Sequence, residues 1–166
     1  MKKSKARVSV GFNGDFFVLV TMSLGMMGYA EPDVLPKYIL PVASDAELGA
    51  ALRLALGESK QVSAEDFQRI IHSGIVQNNA KERDALAMKK YGYKTRRAMY
   101  QNMDECSVDV FDDKIEIQPM HQRALDGYTA RKDTGPFPIS VSLTANDVEL
   151  GAALREEFRR CTSAIR

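Results

Sequence analysis

The sequence predicts an α+β fold of two pseudo-repeated units, each an antiparallel β-hairpin plus a strand followed by a helix, with a short helical insertion between them. Three observations carry that reading. The heptapeptide ELGAALR occurs twice, at residues 47–53 and 149–155, which marks a tandem duplication. Each copy follows an extended apolar run and a capping residue: residues 38–42 lead into Ser44, and residues 139–143 lead into Asn146. Earlier in each half, two β-rich segments flank a turn pair, Asn13-Gly14 in the first and Asp112-Asp113 in the second.

Residues 8–10 and 16–20 form the first hairpin, because apolar segments on both sides of Asn-Gly are a strong local hairpin signal. The region also imitates a secretory signal. Residues 2–7 are basic, residues 16–27 are mostly apolar, and Gly28-Tyr29-Ala30 resembles a small-residue cleavage site. Asn13, Gly14 and Asp15 interrupt that pattern, and the layout recurs in the second half. A buried hairpin is therefore the reading, with a signal peptide as the alternative. The apolar run falls short of the roughly 20 residues that a membrane-crossing helix needs.

The first repeat helix starts at a capping box, Ser44-x-x-Glu47, in which side chains satisfy amide donors that have no partner within the helix. Asn146-x-x-Glu149 does the same for the second. Leu48, Leu52 and Leu56 recur at helical spacing, as do Leu150, Leu154 and Phe158, so each helix presents an apolar stripe to a sheet. Gly49 and Gly151 lie inside these helices, where glycine costs about 1 kcal/mol relative to alanine. Their matched positions predict close helix packing, and ELGAALR reads as architecture.

The insertion carries helices over residues 63–73 and 81–91, with a third over 93–102 after Gly92. Residues 108–110 and 115–117 form the second hairpin. The expected organisation is one domain over residues 1–166, with repeat one at about 6–58, the insertion at about 59–103 and repeat two at about 104–163.

Charge and chemistry exclude several functions. With 23 basic and 22 acidic residues the net charge is +1, so no global field points to nucleic acid or an anionic membrane. His72 and His121 lie far apart without metal-ligand spacing, and no nucleophile elbow, phosphate loop or HExxH occurs. No catalytic, cofactor or metal residue is assigned. Cys106 with His121 as its base is the best nucleophile pairing, and the inward parity of Cys106 argues against it. Cys106 and Cys161 read as buried reduced thiols of a cytosolic protein, with a disulfide between them left open.

The order of segments then becomes specific. LPVASDAELGAALR at residues 40–53, Gly-Tyr-Lys-Thr-Arg at 92–96, Cys-Ser-Val-Asp-Val at 106–110, Ile-Gln-Pro-Met at 117–120 and ELGAALREEFRRC at 149–161 together resemble the CdiI family. These are the immunity proteins of bacterial contact-dependent growth inhibition, and the resemblance spans roughly residues 6–161. It implies a Whirly-like arrangement of duplicated sheet and helix units. It also implies a cytoplasmic inhibitor that binds the C-terminal toxin domain of a CdiA effector one-to-one and blocks its active site. Such toxins are often nucleases, frequently RNases, and an affinity of about nanomolar or tighter is expected.

A nuclease groove is basic, because phosphate contacts dominate nucleic-acid affinity, and its inhibitor gains by presenting carboxylates and aromatics. Strand alternation sends Val108 and Val110 inward and Asp109 and Phe111 outward. Asp112 and Asp113 occupy the hairpin tip, and Glu116 lies between two inward isoleucines. These five residues are the candidate toxin-facing surface, against the plain alternative of a solvated hairpin face. A second function class is a single-strand nucleic-acid module using Lys89, Lys90, Lys94, Arg96 and Arg97 interleaved with Tyr91, Tyr93 and Tyr100. An exposed edge strand in either unit also leaves room for a homodimer.

Overall fold

Two hairpins meet at the centre of a seven-stranded sheet. In the computed structural model, which describes residues 2–166, β1 (Ala6–Phe12) pairs antiparallel with β2 (Phe17–Leu24). Gly14 supplies the positive φ of 93° that the turn requires. The Asn13 side-chain oxygen accepts from the Asp15 and Phe16 amides, closing the turn. Both β3 (Gly28–Ala30) and β4 (Lys37–Ile39) pair with β2. In the second half, β5 (Asp104–Val110) pairs with β6 (Ile115–Pro119), and β9 (Ile139–Val141) adds to β6. The halves join through β1 and β5, antiparallel, with Val8 opposite Val108 and Val10 opposite Cys106. The order is β3-β2-β1-β5-β6-β9.

One face of this sheet is covered by α1 (Asp45–Gly57) and α5 (Asp147–Phe158). Leu48, Leu52, Leu56, Leu150, Leu154 and Phe158 are buried against Val8, Val10, Leu19, Val108, Ile115 and Ile117, as the stripes predict. Ser44 and Asn146 cap the helices by accepting from the amides of Glu47 and Glu149. The two helices touch backbone to backbone. A Cβ at Gly49 would lie 1.8 Å from the Asp147 carbonyl oxygen, and one at Gly151 would lie 1.9 Å from that of Asp45. The last residue of each heptapeptide fastens the same crossing. Arg53 pairs with Asp147 at 3.0 Å and donates to the Ala145 carbonyl, while Arg155 pairs with Asp45 at 2.9 Å and donates to that of Ala43. The duplication is thus visible as a pseudo-twofold relation between the helices.

The insertion forms α2 (Ala64–His72), α3 (Ile75–Tyr91) and α4 (Arg96–Tyr100). The predicted helix over 81–91 begins six residues earlier, directly after Gly74, because a polar run from Gln77 hides its start. The third predicted helix shrinks to five residues, capped by Thr95. The apolar runs 38–42 and 139–143 are strands only to Ile39 and Val141. A small second sheet was not legible: β7 (His121–Ala124) pairs with β8 (Gly127–Thr129) and, in parallel, with β10 (Thr162–Ser163). Cys106 and Cys161 are free thiols with sulfurs 3.8 Å apart. No helix among the described residues is long and apolar enough to cross a membrane.

Candidate interaction surface

The face of the sheet opposite α1 and α5 carries Arg7 and Ser9 from β1 and Glu105, Ser107 and Asp109 from β5, on the parity that alternates with the core residues. β6 adds Glu116 opposite Asp109. The β5–β6 hairpin places Asp112 and Asp113 at its exposed tip, as expected.

Asp109 needs correcting. It does lie on the outward parity, yet it is buried, because the Arg7 Nε and the Ser4 hydroxyl both donate to its Oδ1 at 2.7 Å. Those partners lie 102 and 105 residues away, so local alternation could not reveal them. Phe111 is half-buried rather than fully presented, with the Lys114 ammonium 5.9 Å from its ring centroid. Glu116 is half-buried between buried Ile115 and Ile117, and its carboxylate pairs with Lys114 at 3.4 Å. Asp112 pairs with Lys5 and Asp113 with Lys2. The Lys2 ammonium holds the Asp113 carboxyl below its ordinary range. The acidic hairpin is therefore electrically matched by the amino-terminal segment, through exposed pairs of small net strength.

The basic segment, the alternative nucleic-acid surface, is partly tied down by contacts within the chain. Lys89, Lys94 and Arg97 are exposed. Lys90 lies 5.3 Å from the ring centroids of both Tyr38 and Tyr91. Arg96 is tied to Asp84 and Asp126, each at 3.0 Å. The aromatics are committed inward: Tyr91 stacks on Phe16 at 4.4 Å, the Tyr100 hydroxyl donates to Asp84 at 2.6 Å, and the Tyr93 hydroxyl bonds Asp15. The Tyr91 and Tyr93 contacts dock the insertion on the first hairpin, and the stack on Phe16 occupies one face of the Tyr91 ring.

Where α3 and α4 fold over the open face they roof a cleft of about 230 Å³. Its lining includes Ser9 and Gly11 of β1, Glu105 of β5, and Tyr100, Met103 and Tyr128. A neighbouring cavity of about 160 Å³ under α3 shares Val20, Ala30 and Arg83 with the cleft and adds Glu31 and Glu82. Sequence reasoning missed Glu105; its outward parity beside Ser107 and Asp109 was the available signal. Burial in the cleft pushes the Glu105 carboxyl up to about 7, against weaker opposing effects of the hydrogen bond from Ser9 at 2.9 Å and the charge of Arg83.

That shift has a definite sign. The folded protein keeps a proton that the unfolded chain gives up between about 4.5 and about 7, so Glu105 removes stability as pH rises through that window. Glu105→Gln cannot ionise. It is expected to become more stable relative to the natural protein across the window by about 2 kcal/mol, less than the full shift implies because solvent reaches the carboxylate. Urea unfolding of both proteins near either end of the window checks this, and an unchanged difference would refute it.

Among the described residues no group of three or more His, Cys, Asp or Glu is placed to hold a metal ion. His121 contacts the Thr162 hydroxyl at 2.8 Å, and His72 closes the exposed end of α2.

Comparison with known proteins agrees with the order of segments. A family model described as CdiI, CDI immunity protein, matches residues 6–161. The immunity protein CdiI-YPIII of Yersinia pseudotuberculosis serotype O:3 is 29% identical over 168 residues, spanning 94% of this chain and 95% of the relative. A solved chain from the CdiA-CT/CdiI toxin and immunity complex of Yersinia pseudotuberculosis superposes with a TM-score of 0.83 at 26% identity, covering 96% of this chain and 98% of its own. A protein of unknown function from Neisseria meningitidis shares the fold, with a TM-score of 0.85 at 21% identity over 97% of this chain and 98% of its own.

Proposed function

The chain belongs to the CdiI family of CDI immunity proteins, and from that premise we propose that it binds the C-terminal toxin domain of a CdiA effector one-to-one and covers the toxin's active site. As an immunity protein it acts by binding and not by catalysis. The observation that carries the reading is the family match over residues 6–161, supported by the fold shared along nearly the whole chain with the toxin and immunity complex. We assign the toxin to the nucleases, with RNA as its substrate and the cytoplasm as the place of action, as the resemblance implies.

The experiment mixes purified toxin domain with total RNA and adds this protein in steps. Cleavage that stops at one molar equivalent supports both parts of the proposal. RNA left intact by toxin alone removes the assignment of RNA as substrate, and cleavage that persists at excess inhibitor removes active-site blocking.

The open sheet face is the surface proposed to meet the toxin. Asp112 and Asp113 are exposed at the tip, Phe111 and Glu116 are half-buried beside them, and Asp109 holds the strand through Arg7 and Ser4. The exposed lysine partners of Asp112 and Asp113 are weakly held, so cations of a phosphate-binding groove can replace them. Asp112→Lys with Asp113→Lys is expected to weaken toxin binding by about tenfold or more, mainly by slowing association. Stability should barely change, because the lost pairs are exposed. Surface plasmon resonance and thermal unfolding of the double variant test the two halves of this prediction; unchanged affinity sinks the tip as a contact.

A further inference from the structure

The hairpin tip pairs each carboxylate with a lysine, whereas the carboxylate of the roofed cleft, Glu105, has no ion pair among the described residues. The lining of the cleft and its neighbouring cavity holds the carboxylates Glu31, Glu82 and Glu105 and the guanidinium of Arg83, while Lys60 reaches Glu31 at 3.9 Å. Glu31 is already satisfied by the Ser23 hydroxyl and the Asp33 amide, whereas Glu105 has a single hydrogen bond, from Ser9. A half-dried carboxylate with one donor is a group that gains from a cation brought to it.

The space around it selects the form of that cation. A volume of about 230 Å³ falls below the range of ordinary cofactor and drug-sized pockets and suits one long side chain. Val18, Val20 and Met22 give the walls an apolar strip, and Tyr128 adds an aromatic ring, while the Tyr100 ring already has the Arg96 guanidinium 5.0 Å from its centroid. Such walls take the alkyl stem of a lysine or arginine and leave its charged end to the acid and the ring. Gly11 keeps the floor open, since a Cβ there would stand 3.0 Å from the Met103 sulfur and 3.1 Å from Val18 Cγ1.

We infer that this cleft receives a lysine or arginine side chain of the toxin domain, whose charged end pairs with Glu105 while its stem lies along Val20 and Met22. The inference rests on the immunity reading and extends its surface, because β5 presents Glu105, Ser107 and Asp109 on one face leading toward the acidic tip. The toxin contact is then one stripe, weakly charged at the tip and anchored at the cleft.

The test is titration calorimetry of the full chain with its cognate CdiA C-terminal toxin domain, using Glu105→Gln and Leu86→Lys. Glutamine keeps the shape and the hydrogen bond from Ser9 while removing the charge. Leu86 lies on the rim of the neighbouring cavity and is 67% exposed, so lysine there adds repulsion without disturbing the core. Glu105→Gln should weaken toxin binding by about 30-fold or more, the range for removing one partner of a buried charged pair, and Leu86→Lys by about tenfold, mainly through slower association. The melting temperature should stay level or rise for Glu105→Gln, which a merely structural carboxylate would not produce. Leu54→Lys, on the outer side of α1, should bind as the natural protein does. If natural protein binds tightly and Glu105→Gln binds within about threefold of it, the cleft is overturned and the immunity reading stands; should that variant fail to fold, Leu86→Lys decides by the same criterion. Absence of binding by the natural protein overturns both.

Discussion

Gly49→Ala is expected to destabilise the protein by about 3 kcal/mol or more, with Gly151→Ala behaving alike. The sign is the informative part, because alanine inside a helix ordinarily gains about 1 kcal/mol over glycine. Here the new methyl would sit 1.8 Å from the Asp147 carbonyl oxygen, or 1.9 Å from that of Asp45 in the other helix. The obstacle is backbone, so no rotamer change relieves it. The helices must separate, which disturbs the contacts of Leu52 and Leu154 and stretches the Arg53–Asp147 and Arg155–Asp45 pairs together. Gly57→Ala is the internal control: it lies in the same helix with nothing within 4 Å of its Cβ, and should be neutral or slightly stabilising. Urea denaturation of the three variants separates the close approach from helix propensity, and a stabilised Gly49→Ala would contradict the packing described.

Leu154→Ala should destabilise the protein by about 3 to 4 kcal/mol, and Leu52→Ala by a similar amount. Both side chains are fully buried at the junction of α1, α5 and the sheet. Removing three carbons loses their transfer free energy and leaves a cavity that the clamped helix pair cannot close, since its backbones already touch. The two values should agree within about 1 kcal/mol, because the pseudo-twofold relation gives each leucine an equivalent setting. A large inequality would mean that the halves have diverged energetically while keeping their geometry. Chemical denaturation at neutral pH measures both.

Much of this fold is carried by short-range signals, which is why the sequence shows it. Ser44 and Asn146 act on amides three residues away, Asn13 closes its own turn, and the leucine stripes follow from helical spacing. The duplicated heptapeptide even encodes the close approach, because Gly49 and Gly151 have no other reason to interrupt good helices. What escaped depends on distant partners. Asp109 looked outward by alternation, and only Arg7 and Ser4, from the far end of the chain, make it an internal tie. Lys2 and Lys5 balance the tip in the same non-local way. The tyrosines of the basic segment suited stacking by composition, yet Phe16 and Asp84 draw Tyr91 and Tyr100 inward. Glu105 was hidden for a related reason. Its cleft exists only once α3 and α4 lie over β1, β2 and β5, and the insertion's docking leaves no periodic trace.

The central claim is that this chain is the stoichiometric partner of a toxin domain. Titration calorimetry of the natural protein against its cognate CdiA C-terminal domain tests that claim most directly. The expected result is one-to-one binding with a dissociation constant of about nanomolar or tighter. No heat with a folded toxin, at concentrations far above that value, would contradict it.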